Sequence, residues 1–201
     1  MHVVSIMGTS YESNVFAVSE DGHNCVLIDC AGKNLTDRLF RYCLRPCAVL
    51  LTHGHLDHTA GCAALQRNTG VKIYCGEGED KFIFSEDNKS IFGTGVPKFE
   101  IERTLKGGEE LEICGLKIKV ISTPGHTAGG VSYLIGNNLF TGDTLFQRGV
   151  GRCDFPGGDE KTLISSVKKL YALDGDYTVY CGHGFETTLG YERKNNPFVR
   201  Q

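Results

Sequence analysis

Between His53 and His58 the chain packs three imidazoles and a carboxylate into six residues, His53-Gly54-His55-Leu56-Asp57-His58. They follow Thr52 and the apolar run Ala48-Val49-Leu50-Leu51. A fold that accepts this stretch must end a buried strand in a polar loop, which restricts it more than any other feature does. Neutral imidazoles and carboxylates are ligands for zinc, iron or manganese. If the chain leaves the strand extended, His53 and His55 point the same way and can share one ion. Asp57 and His58 are adjacent, so they diverge and suit a second ion or a supporting role. The plain alternative is a His-rich surface turn with Asp57 as a helix N-cap. Three further candidates argue against that alternative, because each also follows a strand-like run. They are His126 in Thr123-Pro124-Gly125-His126-Thr127, Asp143 in Phe140-Thr141-Gly142-Asp143-Thr144, and His183 in Tyr180-Cys181-Gly182-His183-Gly184. Of seven histidines, only His2 and His23 lie outside this set.

A chain of 201 residues suits one domain, 1–201, and its net charge of −3 gives no footprint for nucleic acid or an anionic membrane. The acidic clusters Glu77-Gly78-Glu79-Asp80 and Glu109-Glu110 read as solvated faces. Met1 to Phe16 lacks a basic segment followed by an apolar core, and no apolar run reaches membrane-spanning length, so the cytoplasm is the expected compartment. Nine cysteines are scattered without a Cys-x-x-Cys pair. Cys25, Cys75 and Cys181 sit in apolar runs as small core hydrophobes, and a reducing interior fits better than a disulfide framework. A zinc site through Cys43 and Cys47 lacks a partner pair.

Periodicity predicts strands at 2–7, 13–18, 24–29, 47–51, 71–75, 110–114, 116–122, 131–135, 138–141 and 177–181. Helices are predicted at 32–44, 57–68, 77–85 and 159–173, with Pro46 ending the first and Gly70 stopping the second. Residues 86–106 read as a mostly irregular cover over one side of the site. Each half has strands followed by helix–strand units with ligand candidates after strands. Two βα halves packed sheet to sheet, with helices outside and the site at one edge, are therefore expected.

The ordered set His53-x-His55-x-Asp57-His58, His126, Asp143 and His183 resembles the metallo-β-lactamase superfamily, and within it the glyoxalase II-like hydrolases. The resemblance extends to Thr141 to Phe146, to the loop Gly149 to Phe155, and to the tail Thr188 to Phe198 with its Asn196-Pro197-Phe198. It implies a four-layer αββα sandwich of the α/β class. It also implies two divalent ions, zinc first and iron or manganese as alternatives. His53, His55 and His126 would hold one ion, Asp57, His58 and His183 the other, and Asp143 would bridge them, so that Asp57 and Asp143 are the catalytic carboxylates. The activity implied is hydrolysis of a small-molecule thioester such as S-lactoylglutathione by a hydroxide shared between the ions. Nucleic-acid and membrane partners are not expected, and oligomeric state is left open.

Two departures from glyoxalase II narrow this. Only eighteen residues follow His183, so the C-terminal helical domain that helps those enzymes bind glutathione is not expected. Where they carry a Lys and, two residues later, a Tyr, this chain has Arg152 and Asp154. Arg152, helped by Arg148, is the basic anchor expected for a carboxylate, and an Arg–Asp surface pair is the competing reading. The runner-up activity is a persulfide dioxygenase using one iron, whose Gly-x-Gly-Arg-x-Asp-Phe loop resembles Gly149 to Phe155. A lactonase or β-lactamase comes third, and a non-enzymatic metal store last.

Overall fold

The structure, a computed structural model, describes residues 1–6, 13–32 and 34–200. Its first half runs β1 (His2–Ile6), β2 (Val15–Ser19), β3 (Asn24–Ile28), α1 (Leu35–Arg41), β4 (Arg45–Leu50), α2 (Leu56–Thr59), α3 (Cys62–Thr69), β5 (Lys72–Gly76), α4 (Glu79–Phe82), α5 (Glu86–Phe92) and β6 (Arg103–Leu105). The second half runs β7 (Glu110–Ile113), β8 (Leu116–Ser122), β9 (Val131–Ile135), β10 (Asn138–Gly142), β11 (Leu145–Phe146), β12 (Gly149–Val150), α6 (Glu160–Tyr171), β13 (Thr178–Cys181), β14 (Thr187–Thr188) and α7 (Leu189–Asn195). Strands β1 to β6 form one sheet in sequence order, and the other has the order β14-β13-β10-β9-β8-β7.

Strand alternation explains the layers. Successive side chains point to opposite faces, and here both faces are apolar. Phe16, Val18, Val26, Ile28 and Leu50 face one way and pack with Ile118, Val120, Tyr133 and Phe140 of the other sheet. Their neighbours Val15, Ala17, Cys25, Leu27, Val49 and Leu51 face outward, under Leu35 and Leu39 of α1 and Cys62 and Leu65 of α3. On the far side Leu139 and Val179 pack beneath Val167, Leu170 and Tyr171 of α6 and Leu189 of α7. Three apolar interfaces between four layers make the expected αββα sandwich of the α/β class.

Direction places the site. β3, β4, β5 and β6 are parallel, so β3 and β4 end together, at Asp29 and at the histidine run. In the second sheet β8, β10 and β13 share one direction, and their ends lead to His126, Asp143 and His183.

Several boundaries differ from expectation. The first helix stops at Arg41, where Cys43 turns with φ 56°, and Pro46 lies inside β4. It is tolerated there because β4 pairs with β5 only from Ala48 onward. The helix expected over 57–68 splits at Gly61, whose N–H donates to the Cys30 carbonyl at 2.8 Å. A Cβ at Gly61 would stand 2.8 Å from that oxygen. Gly70 caps α3 in the left-handed region, as predicted. Residues 86–106 contain α5, capped by Ser85, and β6, although 93–102 is irregular. Residue 7 of the first predicted strand and residue 33 of the first helix lie outside the described residues.

Two readings are overturned. Glu79 is no solvated charge: it is 1% exposed and accepts the backbone N–H groups of Gly54 and Gly129. Cys47 and Cys114 form a disulfide, with Cα atoms 6.6 Å apart, that joins β4 to the β7–β8 turn. Strand periodicity carries no signal for that pairing, because the two cysteines meet only once the sheets stack.

Candidate metal centre

All seven predicted ligands converge. Donor atoms of His53, His55 and His126 lie within 4.8 Å of one another, as do those of His53, His58 and Asp143, and those of Asp57, His58 and His183. Asp143 stands between the groups: Oδ2 is 3.5 Å from His126 Nε2 and 3.5 Å from His183 Nε2, and Oδ1 is 3.4 Å from His58 Nε2. Asp57 Oδ2 is 3.1 Å from His183 Nε2. Asp57 is not the helix cap, since His55 holds the N-cap position of α2. Its carboxylate faces the cluster instead.

The far nitrogens of three rings are tethered. Thr52 Oγ1 donates to Asp29 Oδ2 at 2.8 Å and is therefore free to accept from His53 Nδ1 at 3.1 Å. His58 Nδ1 donates to Asp29 Oδ2 at 2.8 Å, and His126 Nδ1 donates to the Arg152 carbonyl at 2.8 Å. Each tether puts the proton on Nδ1 and leaves the Nε2 lone pair facing inward, as a metal ligand requires. Buried His53 Nε2 and His55 Nε2 have no hydrogen-bond partner. Buried polar atoms without partners are rare, and these two belong to a cluster whose chemistry fits divalent cations.

Electrostatics divide the cluster. Burial would lower His58, but Asp29, Asp143 and Asp57 outweigh it and push that ring above the usual imidazole range. Asp57 raises His183 as well, so a cation binding at these two rings must displace protons. Burial, with neighbouring His58 and His126, holds His53 well below the usual imidazole range. Burial, followed by His126 and His58, brings His55 down to about 3. Both are neutral, metal-ready imidazoles. Burial pushes Asp143 upward, but His58 and His126 more than offset it and hold the carboxylate ionised. The same contest, won by His58 and His183, lowers Asp57.

Several supporting residues escaped the sequence reading. Asp29 carries the Thr52–His58 bracing from a backbone with φ 62°. The signal available was an acid directly after the apolar run of β3, at the level where β4 ends. Glu79 takes the Gly54 N–H, and buried Asn88 donates Nδ2 to the Gly54 carbonyl at 2.8 Å. Both therefore clamp the one residue between His53 and His55. Arg152 is exposed, forms a two-point pair with Asp154 at 2.7 and 2.6 Å, and stacks 3.8 Å over the Phe155 ring. Arg148 is also exposed, and its backbone N–H donates to buried Glu192.

The family model described as Metallo-beta-lactamase superfamily matches residues 8–183. The hydroxyacylglutathione hydrolase GloC of Haemophilus influenzae is 36% identical over 99% of this chain and 98% of its own length. Among solved structures, the BLEG-1 B3 metallo-beta-lactamase superposes with a TM-score of 0.92 at 30% identity, covering 100% of both chains. TTHA1623 in a di-iron-bound form gives 0.85 at 33% identity, covering 99% of this chain and 100% of its own. ETHE1 from Myxococcus xanthus gives 0.81 at 26% identity, covering 98% and 84%. No helix among the described residues is long and apolar enough to cross a membrane.

Proposed function

The chain belongs to the metallo-beta-lactamase superfamily, and from that premise we propose that it hydrolyses small-molecule thioesters such as S-lactoylglutathione with two divalent cations. The observation that carries this reading is the end-to-end likeness to a hydroxyacylglutathione hydrolase, together with a donor set complete at all seven positions. In this reading His53, His55 and His126 would hold one ion, Asp57, His58 and His183 would hold the other, and Asp143 would serve both. When bound, two such cations lower the pKa of water and polarise the thioester carbonyl.

The protein's own part is orientation. Thr52, Asp29 and the Arg152 carbonyl fix the tautomers of His53, His58 and His126, so ring nitrogens need no rearrangement when substrate arrives. Asp57 is more exposed than Asp143, 21% against 11% at the side chain. It stands on the solvent side with half-exposed His183, where a proton released by hydrolysis can leave. Arg152 and Arg148 are the basic groups available to an anionic thiol carrier.

A second reading, a persulfide dioxygenase with one iron, is favoured by the loop Gly149 to Phe155, which reaches the cluster through the Arg152 carbonyl, and the likeness to ETHE1 leaves it open. Metal analysis of the purified protein, paired with assays on S-lactoylglutathione, glutathione persulfide and a β-lactam with and without oxygen, separates the readings. Two ions per chain and oxygen-independent thioester cleavage are expected, with zinc the first expectation for the metal. One iron per chain with oxygen-dependent turnover of the persulfide would replace this reading with the second, and dominant β-lactam turnover would replace it with a lactamase.

A further inference from the structure

Three phenylalanines from three separate segments stand edge-on around one ligand ring. The centroids of Phe82, Phe92 and Phe155 lie 5.5, 5.8 and 5.8 Å from that of His55, at interplanar angles of 65°, 65° and 85°. None of the three is fully buried, whereas His55 itself is 2% exposed. Asp57 and His183, by contrast, make a polar and more open part of the cluster.

The wall is built with some care for position. Phe82 ends α4 and Phe92 ends α5, short helices that would not hold their place unaided. They are fixed to the ligand loop by two buried polar side chains, Glu79 and Asn88, which take the N–H and meet the carbonyl of Gly54. A Cβ on Gly54 would come within 3.1 Å of the Phe82 ring, so glycine there lets the ring close on the loop. On the other side, Arg152 stacks on Phe155 and holds it from outside.

Resting on the thioester reading, we propose that the half-exposed rings of Phe82, Phe92 and Phe155 form a subsite for an apolar acyl group. The preferred substrates are then thioesters of aliphatic or aromatic acids larger than lactate. A thioester carbonyl at the cluster presents its acyl group to one flank and its thiol carrier to the other. Charged groups of a peptide thiol would lose hydration against phenyl rings without gaining a partner, whereas methylenes gain by burial there. The acyl chain therefore lies toward the rings, and the carrier runs outward to solvent, on the side where the exposed guanidinium groups of Arg152 and Arg148 are available to it.

The test uses one carrier, glutathione, with lactoyl, acetyl, butyryl, hexanoyl and benzoyl groups, alongside calorimetric binding of acetate and hexanoate. In the wild type kcat/KM should rise from acetyl to hexanoyl by about two- to fourfold per methylene, the upper figure being full burial at ~0.8 kcal/mol each. Hexanoate should bind at least tenfold more tightly than acetate. Phe92→Ala and Phe155→Ala should each cut the hexanoyl-to-acetyl ratio by about tenfold, the loss of several buried methylenes' worth of contact, while Phe40→Ala, on exposed α1, leaves it unchanged. Cleavage of thioesters with no dependence on acyl length would overturn the subsite and spare the thioester reading. Ring-dependent hexanoate binding without cleavage of any thioester would keep the subsite and remove that reading. No cleavage and no preference for hexanoate would remove both. Because the wild-type series is decisive alone, a variant that failed to fold would not rescue the idea.

Discussion

The two halves of the sandwich supply the same centre in different ways. The first half delivers His53, His55, Asp57 and His58 from one loop after one strand, braced by buried side chains: Asp29, Thr52, Glu79 and Asn88. The second half delivers His126, Asp143 and His183 from three loops, each preceded by a glycine at which backbone passes close to something already placed. A Cβ on Gly125 would run into the backbone of Leu163, one on Gly142 into Thr52, and one on Gly182 into Asp143 and His58. The first half relies mainly on hydrogen bonds and the second mainly on omitted atoms, with Gly54 and the tether of His126 to the Arg152 carbonyl as the crossings between the two. Hydrogen bonds can be weakened by degrees, whereas absent atoms can only be put back.

That contrast gives an order of expected damage. Asp143→Ala removes the carboxylate proposed to serve both ions, so metal content should fall at both sites and turnover by about 1,000-fold or more, some 4 kcal/mol. Elemental analysis and kcat on one preparation check it. Near-normal values would mean that the halves are not joined through Asp143. Asp57→Asn should lower kcat by orders of magnitude while melting stays nearly unchanged, because Asp57 caps no helix and its carboxylate faces the cluster. A variant that melted early but turned over normally would make Asp57 structural.

The next pair sets one kind of support against the other. Asp29→Asn keeps the shape but weakens the tethers of His58 and Thr52, and should cost about 10- to 100-fold in metal affinity. Chelator competition reads that loss. Gly182→Ala adds one methyl where no room exists. It should cost about 1–3 kcal/mol of stability as well as displacing Asp143, so the melting temperature should fall along with the metal affinity. If both variants lost affinity with unchanged melting, the distinction between the halves would fail. The smallest effect is expected from Arg152→Ala, a few-fold rise in KM for glutathione thioesters with little change for an uncharged one. Equal losses on both would show that its pairing with Asp154 and its stacking on Phe155 serve the loop and not the carrier.

The same contrast explains what could be read from the chain. His53 to His58 is conspicuous because one loop carries four ligands. His126, Asp143 and His183 became legible only as repeats of strand, glycine and ligand. The layers followed from the order of strands and helix–strand units in each half, and α6 from its spacing. Glu79 was lost because an acid beside other acids looks solvated, and only the approach of Gly54 and Gly129 buries it. Asn88 and the short α5 were lost for the same reason, since their partners are 34 residues away in sequence. The tail was recognised without its cause: Asn196 donates to the Gly149 carbonyl at 3.0 Å, tying α7 to the loop that ends in Phe155.

The Cys47–Cys114 bond closes a covalent ring across 67 positions. Inside it lie the four ligands of the first loop and the helices bearing Phe82 and Phe92, while His126, Asp143 and His183 remain outside. A chain drawn out from its two ends would therefore surrender the segments before Cys47 and after Cys114 to the pull and keep the ring slack. The missing length is about 230 Å at some 3.4 Å per residue. A reductant would return that length, so force spectroscopy on one molecule in two buffers would show the ring as a step in extension.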